Sequence, residues 1–480
     1  MKIKFTLAVA ALLFASAVFV HSAPARPNIL ILMADDWGWP HAWQYGDTTV
    51  KTPALDRIAQ DGVLFNHAYC SAPSCAPSRA ALFTGRNFWE LEEGANLLGT
   101  LPVKFPVYTE LLKKAGYAVA SVGKGYAPAN LAAGGRTVNP AGPSLSPAVN
   151  KDDFEKFISK LPADQPFCFW FGSRDPHRPY VKGSGVKSGI DPAKVQVPGF
   201  LPDVPEVRSD LCDYYFAVQR FNADAMRVIA ALKKSGRYDN TLIIITGDNG
   251  SPFPHGKTQT YKWGVHQPLA ICWKNAFAGG RTVEDYTSFT DFAPTILEAA
   301  GLPVPPEMSG KSILPLLVSG KSGQVEPQRD AVFVGLERHG GSYPMRAIHT
   351  KQFVYIRNFA IDRDPNNYSK KGGPSMEYMM AHKNDNAELK RLYALSFGPR
   401  PTEELYDIQK DPNEFTNLAA DPKFADIKKK LSDRLMAYLT QTKDPRAFGK
   451  GEVFDNYPTW NGKGNLLPTV SQQKSGSEAE

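Results

Sequence analysis

The chain has 480 residues, of which 42% are hydrophobic, 11% aromatic and 21% charged. That length and balance support a sizeable core in two or three domains, or in one large domain with an appendage, and they exclude wholesale disorder and collagen-like repeats. The net charge of +7 comes from 55 basic and 48 acidic residues with no dense basic block, so no nucleic-acid partner is expected, and a mildly basic surface suits an anionic small molecule or polysaccharide.

Lys2 and Lys4 precede an apolar run from Phe5 to Val20, followed by the small residues Ser22, Ala23 and Ala25. This is the pattern of a secretory signal peptide over residues 1–25, cut after Ser22 or Ala25. The run is short for a bilayer span, so the expectation is a secreted or periplasmic protein without a membrane anchor.

Four later apolar runs end alike. Asn28–Met33 leads into Asp35-Asp36, Tyr117–Val122 into Gly123-Lys124-Gly125, Phe167–Phe171 into Asp175-Pro176-His177-Arg178, and Thr241–Thr246 into Gly247-Asp248-Asn249-Gly250. Unalternating apolar runs mark strands buried on both faces. Ligands of open α/β sheets bind at the carboxyl ends of such strands, so the four endings predict one site gathered from distant segments.

Helices are predicted between the strands. Thr52 is placed to cap one that starts at Pro53 and stops at Gly62; others span Thr109–Ala115, Asp210–Lys234 and Asp291–Ala300. The alternation predicts an α/β fold, a large mostly parallel sheet sandwiched by helices. Beyond Ser319–Arg329, Ala331–Leu336, Met345–His349 and Phe353–Arg357 read as short antiparallel strands and Asp421–Leu439 as an amphipathic helix. The predicted organisation is a catalytic domain over 26–325, a smaller C-terminal α+β domain over 326–450, and an extended or disordered tail over 451–480.

The five cysteines are Cys70, Cys75, Cys168, Cys212 and Cys272, too few for a disulfide scaffold and an odd number for an exported chain. Cys75 alone reads as half of a Cys70–Cys75 disulfide or as a buried thiol. Its surroundings, Cys75-Ala76-Pro77-Ser78-Arg79 followed by Leu82-Phe83-Thr84-Gly85-Arg86, carry a further meaning. This string resembles the signature C-x-P-S-R then L-x-T-G-R of the formylglycine-dependent sulfatases, members of the alkaline phosphatase superfamily.

Other segments are similar to the same family from about residue 26 to 450: Arg26-Pro27-Asn28-Ile29 through Asp35-Asp36-Trp37-Gly38, then Gly247-Asp248-Asn249-Gly250, and Glu404-Leu405-Tyr406-Asp407 with Asp411-Pro412 and Asn417-Leu418-Ala419. Within the family, Asp175-Pro176-His177-Arg178, Ser251-Pro252-Phe253-Pro254 with Gly256-Lys257-Thr258, and Ser342-Tyr343-Pro344-Met345-Arg346 resemble the sulfamidases, which cleave N-linked sulfate from glucosamine.

The resemblance implies that Cys75 is oxidised to formylglycine by a formylglycine-generating or anaerobic sulfatase-maturating enzyme. It implies one Ca²⁺ per chain, held by Asp35, Asp36, Asp248 and Asn249, an all-oxygen set that suits a hard cation of flexible coordination. Arg79 would orient the formylglycine hydrate, Lys124 and Lys257 would bind the sulfate group, and His177 would protonate or hold the leaving group. The implied mechanism passes through a covalent sulfo-enzyme, which the second hydroxyl of the hydrate resolves. Glu337, Arg338, His339 and Arg346, clustered on the predicted C-terminal strands, are the expected substrate-binding residues, and the expected substrate is a sulfated carbohydrate.

One departure stands out. The family has G-K-x-H where this chain has Gly123-Lys124-Gly125-Tyr126. The base assigned to hydrate deprotonation is absent from its usual place, and Tyr126 is expected to take it over, with His177 and His255 as other candidates. Three other readings remain beside a sulfamidase: an O-sulfatase on another polysaccharide, a phosphate-ester hydrolase of the same superfamily, against which Cys75 argues, and a binding module with an unconverted Cys75.

Overall fold

The computed structural model describes residues 26–146, 152–363, 372–461, 463–470 and 472. The signal-peptide reading of residues 1–25 lies outside them. Among the described residues, no helix is long and apolar enough to cross a membrane.

Strand β1 (Asn28–Ala34) is buried at every position. Its side chains alternate between two cores. Ile29, Ile31 and Met33 pack with Ala76, Ala80 and Phe83, whereas Leu30, Leu32 and Ala34 pack with Leu211, Tyr215, Val218 and Phe221 of the long helix Pro205–Lys234. Two apolar faces on one strand are what an unbroken apolar run encodes.

The other strands of this sheet are β2 (Val63–Tyr69), β3 (Ala118–Gly123), β4 (Ser144–Ser146), β5 (Phe167–Gly172), β6 (Thr241–Gly247), β7 (His266–Cys272), β8 (Arg281–Val283) and β9 (Thr287–Ser288). Their order is β4-β3-β5-β1-β6-β7-β2-β8, with β9 beside β2. β5 and β6 flank β1 in parallel, and β7 runs against both β6 and β2. The mostly parallel sheet expected from the sequence is thus present, together with strands β2, β4, β7, β8 and β9 that the apolar runs did not single out.

Helix α1 (Pro53–Asp61) begins at Pro53 and ends before Gly62. Thr52, however, makes no side-chain cap; its hydroxyl accepts from the Trp43 N–H. Helix α2 (Cys75–Thr84) is wholly buried, and α3 (Tyr108–Lys114) matches its predicted span within a residue.

A second, antiparallel sheet has the order β10 (Ala331–His339), β11 (Gly341–Thr350), β12 (Phe353–Asn358) and β13 (Glu403–Asp407). Here alternation is visible: Val354 and Ile356 join the core that contains α2, whereas Tyr355 faces Leu431, Leu435 and Leu439 of the helix Ala425–Gln441. The sheets meet where Gly335 N donates to Ser71 O at 3.0 Å and Leu97 N to Arg338 O at 3.0 Å. Just after Gly451 the chain departs from the extended or disordered tail expected over 451–480. Val453–Asn456 forms a helical turn with Phe454 and Asp455 buried, and Trp460 N donates to Leu98 O at 2.9 Å.

Candidate active site

The carboxyl ends of β1, β3, β5 and β6 bring their following residues to one place. Glycine permits the convergence at two points. A Cβ on Gly172, the last residue of β5, would lie 1.9 Å from Lys124 O, and one on Gly247, the last of β6, 2.0 Å from Trp37 O. Asp36 sits in the left-handed region at φ 71°, and its N–H donates to Asp248 Oδ1 at 2.9 Å. A non-glycine residue held there carries local strain of the kind that collects at functional sites.

Asp35, Asp36, Asp248 and Cys75 are all buried and offer ligand atoms within 4.8 Å of one another. Cys75 is the first residue of α2, so the positive end of that helix faces the carboxylates. Its Sγ lies 3.5 Å from Asp35 Oδ1 and 3.7 Å from Asp36 Oδ1. Burial pushes the Cys75 thiol up to about 12, only partly offset by Lys124 and Lys257, so it stays protonated at neutral pH.

Cations interleave with the acids. Arg79 Nε donates to Asp248 Oδ2 at 2.7 Å, and its Nη1 to the carbonyls of Lys124 and Gly125. Lys124 Nζ donates to both Asp35 oxygens at 2.7 Å; Lys257 Nζ donates to Asp36 Oδ1 at 2.6 Å and lies 3.2 Å from Cys75 Sγ. Burial alone would raise both carboxyls of the Asp35-Asp36 pair. Lys124 holds Asp35, and Lys257 holds Asp36, below the usual carboxylate range.

Three carboxylates thus face three cations, and a divalent metal would leave the site with a net charge of about +2, complementary to an anionic substrate. The residues fit such an ion. Asp36 Oδ2 and Asn249 Oδ1 are buried oxygens without a hydrogen-bond partner, and the donor set is all oxygen. All five cysteines are free, so Cys70 and Cys75 form no disulfide.

His177 stands at the rim, 35% exposed, with Nε2 3.9 Å from Asp36 Oδ2. Its Nδ1 lies 2.5 Å from Arg178 O. A carbonyl only accepts, so Nδ1 carries the proton and Nε2 is the exchangeable position. Arg178, quoted in the motif but given no role by the sequence, holds this loop: its guanidinium grips Asp210 through bonds of 2.8 and 2.7 Å and donates from Nε to Pro252 O at 3.0 Å. It therefore ties the His177 loop to the segment bearing Lys257. Nothing in the sequence marks Asp210 as its partner.

Several candidates lie elsewhere. The Tyr126 side chain turns into the apolar core, and its hydroxyl is buried without a hydrogen-bond partner. Burial drives the phenol further above its ordinary value, and Arg136 and Glu93, rather than Lys124, are its charged neighbours. The expected base role for Tyr126 is therefore corrected to packing. His255 stacks on Tyr261 with ring centroids 4.1 Å apart and is pushed down to about 3 by burial.

Glu337 and Arg346, expected to bind substrate, are instead a buried ion network. Arg346 bonds Glu337 Oε1 and Asp444 Oδ2 at 2.6 Å each, and Arg446 completes Glu337. Arg338 points toward Tyr457, donating to its carbonyl at 3.3 Å. His339 alone of the four reaches the cluster, with Nδ1 2.7 Å from the hydroxyl of Ser74, the residue before Cys75.

A mostly parallel sheet that gathers acids, cations and a C-x-P-S-R cysteine at its carboxyl edge defines a hydrolase of sulfate esters and their relatives. The sulfatase family model matches residues 27–302, and the chain belongs to that family. A second model, that of the C-terminal region of N-sulphoglucosamine sulphohydrolase, matches residues 255–395. The human N-sulphoglucosamine sulphohydrolase is 31% identical, aligned over 88% of this chain and 91% of its own. An ulvan-active sulfatase of Formosa agariphila is also 31% identical, over 86% and 80% respectively. The fold matches the solved structure of BT4656 in complex with its substrate D-glucosamine-2-N,6-O-disulfate, with TM-score 0.66, 20% identity, and coverage of 87% of this chain and 98% of that one.

Proposed function

We propose that this sulfatase is exported and removes sulfate from a sulfated carbohydrate, with N-sulfated glucosamine of heparin-type glycans as its substrate. The observation that carries the reading is Cys75, presented at a helix N-terminus among three carboxylates and three cations. The 31% identity to the human N-sulphoglucosamine sulphohydrolase supports the choice of sugar.

Formylglycine at position 75, made by a maturation enzyme, would supply a geminal pair of hydroxyls, one as the nucleophile and the other as the group whose deprotonation releases sulfate. Asp35, Asp36, Asp248 and Asn249 would hold Ca²⁺, which would supply Lewis acidity and charge neutralisation there. Arg79 fixes the orientation of Asp248 and of the α2 N-terminus. Lys124 and Lys257 turn from their carboxylates toward the sulfate oxygens, lowering the repulsion that an anionic substrate meets and stabilising charge that builds up there. His177 delivers the proton from Nε2 to the departing nitrogen or oxygen.

Two measurements test this. Mass spectrometry of the Cys75 peptide distinguishes thiol from formylglycine, and sulfate release is then followed on N-sulfated and O-sulfated sugars. Fast release from N-sulfoglucosamine supports the reading, as does loss of activity on chelation that Ca²⁺ restores. The likeness to an ulvan-active sulfatase favours a second reading, an O-sulfatase of an algal polysaccharide. Release from O-sulfated substrates alone would establish that reading instead, and turnover of phosphate esters alone would overturn both.

A further inference from the structure

His339 is the last residue of β10, carried from the second sheet to the edge of the first. It is 4% exposed. Its Nδ1 lies 2.7 Å from Ser74 Oγ, and Ser74 is the residue that precedes α2. A serine in that position ordinarily accepts from the N–H groups of the first helical turn, a contact worth about 0.5–2 kcal/mol. Here Ser74 makes no such cap, and its side chain is given over to the imidazole. The backbone beside it is fixed too, since Gly335 N on β10 donates to Ser71 O and Leu97 N to Arg338 O. A histidine is thereby locked one residue from the nucleophile position by contacts that do not depend on substrate.

We propose that His339 is the proton acceptor for residue 75, taking from the C-terminal sheet the part that the family places two residues after the lysine of G-K-x-H. The inference rests on the sulfatase reading above. The charged and titratable groups around the ring are Lys257, His177 and Lys124 from the sheet edge, with Arg338 as its chain neighbour. Burial first, and then these three groups, push the imidazole well below its ordinary value, so it is neutral across the physiological range. The proposal requires the tautomer in which Nδ1–H donates to Ser74 Oγ and the lone pair lies on Nε2. The hydroxyl that residue 75 bears after conversion gives its proton to the Nε2 lone pair. The electron pair of the broken O–H bond stays on oxygen, and the imidazolium returns the proton to solvent. Ser74 is a positioning residue for this transfer.

Two experiments test the inference. The first is ¹⁵N NMR of the imidazoles in the unconverted Cys75 protein, with H339Q used to assign the signal. The expected result is a neutral ring at pH 6.5 protonated on Nδ1; an Nε2–H tautomer or an imidazolium overturns the proposal. The second compares converted wild type with H339Q, whose amide can still bond Ser74. The substitution should lower kcat about 10²-fold or more with little change in KM, and abolish the acid limb of the kcat profile. An active wild type with an equally active H339Q that keeps its acid limb overturns the proposal alone. A converted wild type that releases no sulfate from any sugar overturns the sulfatase reading, and this inference with it.

Discussion

The hydroxyl of Tyr126 is buried among apolar side chains with no hydrogen-bond partner, so deleting it removes a desolvation cost and no contact. Tyr126→Phe should leave sulfate release unchanged and raise stability by about 1 kcal/mol, read from the denaturant midpoint. Slowed release would return the tyrosine to the site. Arg346 carries the opposite expectation. Removing it strands Asp444 as a buried charge and leaves Glu337 with Arg446 alone, so Arg346→Ala should cost about 3–5 kcal/mol, with KM unaltered in the molecules that remain folded. A raised KM at unchanged stability would make it a substrate contact after all. The sequence makes the acids, Cys75, Arg79 and the two lysines legible because each sits in a short motif at a strand end. It hides the place of Arg346 because Asp444 lies 98 positions away, and nothing local distinguishes a paired arginine from a waiting one. Tyr126 misleads for a related reason: Asn139 Oδ1 takes its backbone N–H from a different loop, and the side chain faces inward.

Strands buried on both faces are the easiest elements to read, and β1, β3, β5 and β6 lie within a residue of their predicted bounds. β13 escapes because Glu404-Leu405-Tyr406-Asp407 is short and polar; its place is fixed by pairing with β12, from Phe353 opposite Asp407 to Arg357 opposite Glu403. The start of the long helix is likewise set by Pro205 rather than by the apolar periodicity that begins near Asp210. The strand ends carry a testable tightness. Gly172→Ala would drive a Cβ into the Lys124 carbonyl, and forced contacts of this sort cost about 1–3 kcal/mol. Displacing that carbonyl also disturbs the Arg79 bond it accepts. On the calcium reading, affinity for the ion, measured by titration calorimetry, should fall together with turnover. Unchanged affinity would mean that the crossing of β5 and the Lys124 turn is slack.

The two sheets act as one body, and Glu414 is a sensitive point of their union. Its Oε2 accepts from Lys262 N at 2.9 Å, next to the segment that bears Lys257. Burial pushes this carboxyl up to about 8, Lys262 only partly opposing it. Because the folded value exceeds the unfolded one, the native chain holds a proton that the unfolded chain releases. Stability is therefore full below about pH 4.3 in this respect and declines by about 1.4 kcal/mol per unit as pH rises toward 8, beyond which both states are ionised. Glu414→Gln keeps the acceptor without the titration, so it should stabilise the protein at pH 8 and do little at pH 4 in urea unfolding. Equal effects at both values would refute this. The burial of Cys75 has its own consequence, which concerns time. It is the first residue of α2 and only 2% exposed, so folding withdraws the sulfur from a modifying enzyme. On the formylglycine reading, conversion belongs to the minutes of synthesis and export. The fraction of working molecules is then settled once, by a race between oxidation and folding that no later exposure to the maturation enzyme can rerun.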